Sequence, residues 1–175
     1  DPYVILDAEA KRVAAGCEGL MFLPYLTGER TPYPDPNARG VFFGLTLRHD
    51  KRHMTRAVME GVGYSLRDCL ELFRDLDVPV HQVRAIGGGA RSVAWRQMLA
   101  DIFGTEMVTV NVTDGAPYGA ALLAGVGTGV YDSVTQACEA TVRIVDRIEP
   151  NAANQNLYNE YYPIYRSLYA ALKTT

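Results

Sequence analysis

With 175 residues, 48% of them hydrophobic, the chain has enough apolar side chain for one sizeable core, so a single folded domain is the default and a disordered class is excluded. The formal net charge of −3 is small and the charges are mixed in sign, which excludes the basic patch that nucleic acid or an acidic membrane surface would need. Cys17, Cys69 and Cys138 are odd in number and far apart, so neither a disulfide framework nor a zinc site fits, and they read as reduced, buried thiols of a cytoplasmic protein.

No apolar run reaches membrane-spanning length and no signal segment opens the chain. It begins at Asp1-Pro2 without methionine, which reads as a processed chain or an excised piece of a longer one. Residues 7 to 16 suit a short helix, and Leu20 to Leu26 is an apolar run short enough to be a strand buried on both faces, with Pro24 marking an edge or bulge. From Thr27 to Arg39, prolines, Gly28, Asp35 and Asn37 mark a long loop; Glu29 and Arg30 are expected to hold it together or to meet a neighbouring lobe. Gly40 to Leu47 reads as a second strand, antiparallel to the first.

The period then changes. From His53 to Leu76, Met54, Val58, Val62, Leu66, Cys69, Phe73 and Leu76 form one stripe at spacings of three and four, the buried face expected of a long amphipathic helix. Arg67 and Glu71 are four apart and read as a pair on the solvated face, worth about 0.3 to 0.5 kcal/mol. Gly61 and Gly63 each cost roughly 1 kcal/mol against alanine inside a helix, which implies close packing of another backbone there. Glu60 stands on this regular helix and reads as part of a scaffold rather than as a catalytic base.

After Pro79, a β-branched run ends at Ile86, three glycines follow, and Trp95, Met98, Leu99 and Ile102 recur at helical spacing, with Ser92 as cap and Gly104 as the C-terminal stop. This strand, glycine turn and helix organise the chain. Gly87, Gly88 and Gly89 let a flat ligand or a phosphate approach the main chain, although on spacing alone the turn is equally a tight connection with no ligand. A P-loop is absent, because no Gly, four residues, Gly-Lys-Ser or Gly-Lys-Thr run exists. A dinucleotide fingerprint stays open as a rival, with Ser92 where its third glycine belongs and Asn111 where an acid would follow the next strand.

Met107 to Val110 is a further strand, and Asp114-Gly115-Ala116-Pro117 turns into a helix of small residues, Gly119, Ala120, Ala121, Ala124 and Gly125, expected to pack tightly in the core. A short helix from Ser133 to Ala140, a strand near Val142 to Val145 and a last helix from about Asn154 to Leu172, kinked at Pro163, complete the order. Its tyrosines read as amphipathic packing. His49, His53 and His81 lack metal-ligand spacing, so no metal site is expected in this chain.

The stretch Gly40-Val-Phe-Phe-Gly44-Leu45, seven residues, then His53-Met54-Thr-Arg-Ala57-Val58-Met59-Glu60 resembles the second signature of the FGGY family of carbohydrate kinases at every specified position. The loop from Pro24 to Pro32, Asp35-Pro36 with Ala38-Arg39-Gly40, the Gly-Gly-Gly-Ala run with Trp95, Gln97 and Ala100-Asp101, and the tyrosine-rich end resemble the same family from Gly19 onward, its xylulokinases most closely.

The resemblance implies an α/β, ribonuclease-H-like, actin-like ATPase fold, a mixed β-sheet flanked by helices. Residues 1–175 would be the C-terminal, nucleotide-binding lobe of a two-lobe kinase. It implies that Gly87, Gly88, Gly89, Ala90 and Ser92 carry the adenosine of ATP, with Val93 where some members place an asparagine. The sugar pocket, the phosphate hairpin and the catalytic carboxylate are expected in the N-terminal lobe or just before this stretch, so no catalytic residue is assigned here. The implied reaction is transfer of the γ-phosphoryl of MgATP to a sugar hydroxyl, D-xylulose giving D-xylulose 5-phosphate. Expected partners are the sugar, the N-terminal lobe and a second copy of the chain. Two other classes stay open: a dinucleotide-binding domain of an oxidoreductase, which would bind NAD, and an actin-like nucleotide module without sugar chemistry.

Overall fold

Asp50 starts the longest helix. Its carboxylate accepts from the backbone N–H of Arg52 (2.9 Å) and His53 (3.4 Å), while the Asp50 N–H donates to Nδ1 of His53 (3.2 Å), so backbone donors at the helix's N-terminal end are satisfied reciprocally. In this computed structural model, which describes residues 2–173, that helix is α2 (Lys51–Asp75), and the other elements are arranged about it.

Before it come α1 (Pro2–Ala10) and an antiparallel pair, β1 (Met21–Leu23) and β2 (Val41–Phe43), in register Met21 to Phe43 and Leu23 to Val41. β1 is buried throughout, as its apolar run suggested. The expected helix over 7–16 instead ends at Ala10. The reason is Arg56, whose guanidinium takes the carbonyls of Ala10 (3.3 Å) and Val13 (2.8 Å), and Gly16, whose positive φ of 78° turns the chain.

After α2 the chain forms β3 (Gln82–Ala85), α3 (Val93–Phe103), β4 (Glu106–Val110), α4 (Gly115–Gly127), α5 (Val134–Thr141), β5 (Ile144–Ile148) and α6 (Ala152–Leu172). β3 and β4 are parallel, joined through α3, and β5 lies antiparallel on the far side of β4, giving the order β3-β4-β5. Ser92 and Gly104 bracket α3 as expected: Ser92 Oγ accepts from Trp95 N at 3.0 Å, and Gly104 takes a φ of 61°. α6 begins at its Asn151 cap and continues through Pro163.

The main core joins Leu23, Tyr25, Tyr64, Leu99, Ile102, Met107, Tyr158, Tyr162 and Tyr165. Its tyrosines bury their rings, and all but Tyr64 pair their hydroxyls: Tyr158 donates to Glu60 (2.8 Å), Tyr162 to Asp68 (2.6 Å), and the Tyr25 and Tyr165 hydroxyls lie 3.3 Å apart. This core reverses the expected orientation of α2. Its buried residues are His53, Ala57, Glu60, Gly61, Gly63, Tyr64 and Asp68, whereas Leu66 is 45% and Phe73 51% exposed. A Cβ on Gly61 would lie 2.1 Å from the carbonyl oxygen of Phe22, so β1 docks on the glycine side of the helix and turns the apolar stripe away.

Arg67 is likewise no solvated residue. It bonds Glu71 (3.0 Å) and the carbonyl of Ile102 (3.0 Å), with its guanidinium carbon 4.2 Å from the Tyr162 ring centroid, tying α2 to α3 and α6. Nor does α4 enter the core: of its residues only Leu122 is buried, and nothing lies within 4 Å of a Cβ built on Gly119. Of the thiols, Cys17 is buried and donates to the carbonyl of His53 (3.0 Å), while Cys69 and Cys138 are half-buried. Burial pushes the Cys17 thiol up to about 12. In the loop after β1, Glu29 accepts from the N–H groups of Arg30 and Thr31, and Tyr169 donates to Asp35 (2.8 Å), so that loop is held by its own backbone and by α6.

Candidate functional site

β3 ends at Ala85 and the chain turns at Gly87, whose φ of 83° favours glycine. Gly88 follows in ordinary right-handed backbone (φ −60°, ψ −44°), and Gly89–Arg91 make one 3-10 turn before Ser92 caps α3. All five residues nominated from the sequence, Gly87, Gly88, Gly89, Ala90 and Ser92, therefore fall on one turn at the carboxyl end of β3. That is the end at which open α/β sheets bind ligands.

The three glycines differ in what requires them. A Cβ on Gly89 would lie 2.0 Å from Cζ3 of Trp95, so the indole packs on this residue and the chain's own structure demands glycine. Gly87 is required by its dihedral. Gly88 is required by neither: its backbone suits any residue, and a Cβ there meets nothing within 4 Å.

Beneath the turn runs an apolar groove of about 570 Å³, lined by Leu66, Cys69 and Phe73 of α2, Val83 and Ala85 of β3, Trp95 of α3, and Gly89 and Ala90. The part of the apolar stripe of α2 that runs through Leu66, Cys69 and Phe73 faces this groove, not the core. Ile86 reaches across to the start of α4, where a Cβ on Gly115 would lie 2.7 Å from Ile86 Cδ1, so the N-terminal ends of α3 and α4 flank the same turn. At the groove's rim Arg96, nearly buried, bonds Asp146 at 2.7 Å and holds that carboxyl below its usual range.

The Ser92 hydroxyl makes two hydrogen bonds. Its Oγ accepts from Trp95 N and donates to Oδ1 of Asp7 at 2.5 Å. Asp7, 85 positions away in sequence, was invisible to spacing arguments, and so was the Trp95 contact with Gly89.

Glu60 lies in a second polar cluster. One oxygen accepts from Arg56 Nε (2.6 Å), Tyr158 (2.8 Å) and Gly16 N (3.1 Å), and burial raises its pKa against these bonds. This arrangement ties α2 to α6 and to the turn at Gly16, and leaves that oxygen no vacancy for a substrate proton. Among the described residues no three His, Cys, Asp or Glu side chains converge as a metal cluster, and no helix is long and apolar enough to cross a membrane.

Residues 4–128 match the model of the FGGY family of carbohydrate kinases, C-terminal domain. The chain is 38% identical to a xylulose kinase of Bacillus subtilis over 92% of its length and 32% of that protein. It is 41% identical to a gluconokinase of Bacillus licheniformis over 99% of its length and 34% of that protein. The ligand-bound xylulose kinase from Lactobacillus acidophilus superposes with a TM-score of 0.87 at 33% identity, covering 95% of this chain and 34% of that one. The chain thus spans about a third of the relatives it matches, and its neighbours share the actin-like ATPase fold. By sequence and by fold it belongs to the FGGY family of carbohydrate kinases, as a C-terminal domain.

Proposed function

We propose that this chain is the nucleotide-binding lobe of a two-lobe cytoplasmic sugar kinase, and that Gly87 to Ala90 lie against the adenosine of ATP. Gly88 carries the reading. A glycine that neither its backbone nor its neighbours require, open on its Cβ side at the carboxyl end of a parallel strand and next in the chain to Gly89 and Ala90 of the groove's lining, is explained by an outside group that approaches the main chain there. A purine suits the groove's apolar lining, and the ribose suits the polar rim.

In the reaction the oxygen of a sugar hydroxyl attacks the γ-phosphorus, the bond to the β,γ-bridging oxygen breaks, ADP departs, and the hydroxyl proton passes to a base. Such transfers depend on positioning and on neutralising charge. This lobe fixes the nucleotide's base and ribose; the proton acceptor and the sugar pocket belong to the N-terminal lobe. Magnesium, which supplies charge neutralisation when bound with ATP, finds no preassembled carboxylate cluster among the described residues.

D-xylulose is the acceptor we favour, with gluconate second, because relatives of both names are close to this chain. Gly88→Val in the full-length enzyme tests the nucleotide reading: ATP affinity by calorimetry should fall at least tenfold while thermal stability holds. Unchanged affinity would remove the turn from the site. Turnover of the unaltered enzyme with D-xylulose and with gluconate decides the acceptor.

A further inference from the structure

We propose that Asp7 is a positioning residue for nucleotide binding, acting through Ser92 on the glycine turn. The inference rests on the assignment of that turn to adenosine.

The Ser92 hydroxyl has one proton and two lone pairs. Giving the proton to Asp7 at 2.5 Å points a lone pair at Trp95 N, which it meets at 3.0 Å. A carboxylate acceptor makes this bond shorter and stronger than a neutral one. The Trp95 indole in turn packs on Gly89, so the Ser92 bond that starts α3 also fixes the ring on which the turn rests. Asp7 is therefore two steps from Gly89: carboxylate to hydroxyl, then hydroxyl through the first turn of α3 to the indole.

Asp7 is itself firmly held. Its Oδ2 pairs with Lys11 at 3.2 Å, and α1 is moored to α2 by the ion pair of Glu9 with Lys51 (2.9 Å) and by the bonds from Arg56 to Ala10 and Val13. α1 buries only Ala10, with Val4 and Ile5 exposed, and core packing at its C-terminal end does not explain the side-chain bond of Asp7 to the cap beside the glycine turn. A cap alone needs only the Ser92 oxygen as acceptor. The additional carboxylate fixes the orientation of the hydroxyl, which matters where the turn that follows must present a fixed backbone to a ligand.

The test uses the full-length enzyme with Asp7→Ala, Asp7→Asn, Ser92→Ala and the double alanine variant, reading ATP affinity by calorimetry and the kinetic constants for ATP and for sugar. Asp7→Ala should weaken ATP roughly tenfold, the size expected for losing a hydrogen bond to a charged acceptor, with sugar KM and kcat at saturating ATP unchanged. Asp7→Asn should stay near the parent, since its amide oxygen still accepts from Ser92. The double variant should be no worse than the worse single one, because both remove the same bond.

Additive losses, or a fall in stability with ATP KM unmoved, would overturn the proposal. If Gly88→Val weakens ATP while Asp7→Ala does not, only this inference falls. If neither variant affects ATP, the assignment of the turn falls first. Should Asp7→Ala fail to fold, Asp7→Leu, close in size and unable to accept from Ser92, decides the matter by the same shift in ATP KM.

Discussion

Gly61→Ala should destabilise the protein although alanine is the better helix former. Propensity alone favours alanine by about 1 kcal/mol at an interior helix position. In the structure, however, the new Cβ would lie 2.1 Å from the carbonyl oxygen of Phe22 and 3.0 Å from its carbon. A backbone group in a paired strand cannot rotate aside, so α2 must lift from β1 by roughly an ångström before the contact becomes tolerable. Overpacking of this kind costs about 1 to 3 kcal/mol and occasionally more, and a backbone obstacle belongs at the upper end, which leaves a net loss of about 2 kcal/mol. Gly63→Ala is the internal control. Its Cβ meets Ile102 Cδ1 at 2.6 Å, the tip of a side chain that can change rotamer, so the cost should nearly cancel the propensity gain. Urea denaturation of both variants beside the parent reads the difference. A Gly61→Ala midpoint at or above that of the parent, or equal shifts for the two, would refute the backbone-contact reasoning.

Glu60→Gln should lower stability by about 3 kcal/mol, because it leaves the Arg56 guanidinium buried without its counter-charge. Turnover per folded molecule should stay within a few fold; a loss of several orders of magnitude with ATP binding intact would make Glu60 the base instead. Asp68 supplies a pH dependence. Burial raises its pKa despite the bond from Tyr162 and the nearby Arg166, so the fold binds its proton more readily than the unfolded chain does. Its contribution to stability is complete below the unfolded value of about 3.9 and is lost as pH rises through the higher native value. Asp68→Asn should flatten that decline in urea midpoints measured from about pH 4 upward, and an unaltered slope would assign it to another group.

What the sequence disclosed was mostly local chemistry. Ser92 and Gly104 could be read as the ends of α3 because a cap and a left-handed stop act on their immediate neighbours. The glycine turn was legible for the same reason, and so was the antiparallel β1–β2 pair, whose apolar runs flank one loop. The start of α2 was placed late because His53 takes the part that Glu or Gln plays in the usual capping box. Asp7 offered no signal, since its partner stands 85 residues on. Gly89 looked like room for a ligand, yet Trp95 fills that room; Gly88, which resembles it in sequence, is the open one.

The buried face of α2 was misread for a reason that reaches into the site. Apolar periodicity nominates the stripe through Leu66 and Phe73 as core, on the rule that charge seeks water. Glu60 and Asp68 escape that rule because α6 brings Tyr158 and Tyr162 to them, and Arg56 turns its charge inward beside Glu60. Hydrogen bonds from distant sequence thus make an acidic face buriable, at a desolvation cost visible in the raised pKa of both carboxyls. Once that face is committed to the tyrosine core, Leu66, Cys69 and Phe73 of the apolar stripe are released to line the groove beneath Gly89 and Ala90. One helix then serves two surfaces, and the polar residues that seemed to weaken it as a core element are what allow its apolar side to serve the groove under the glycine turn.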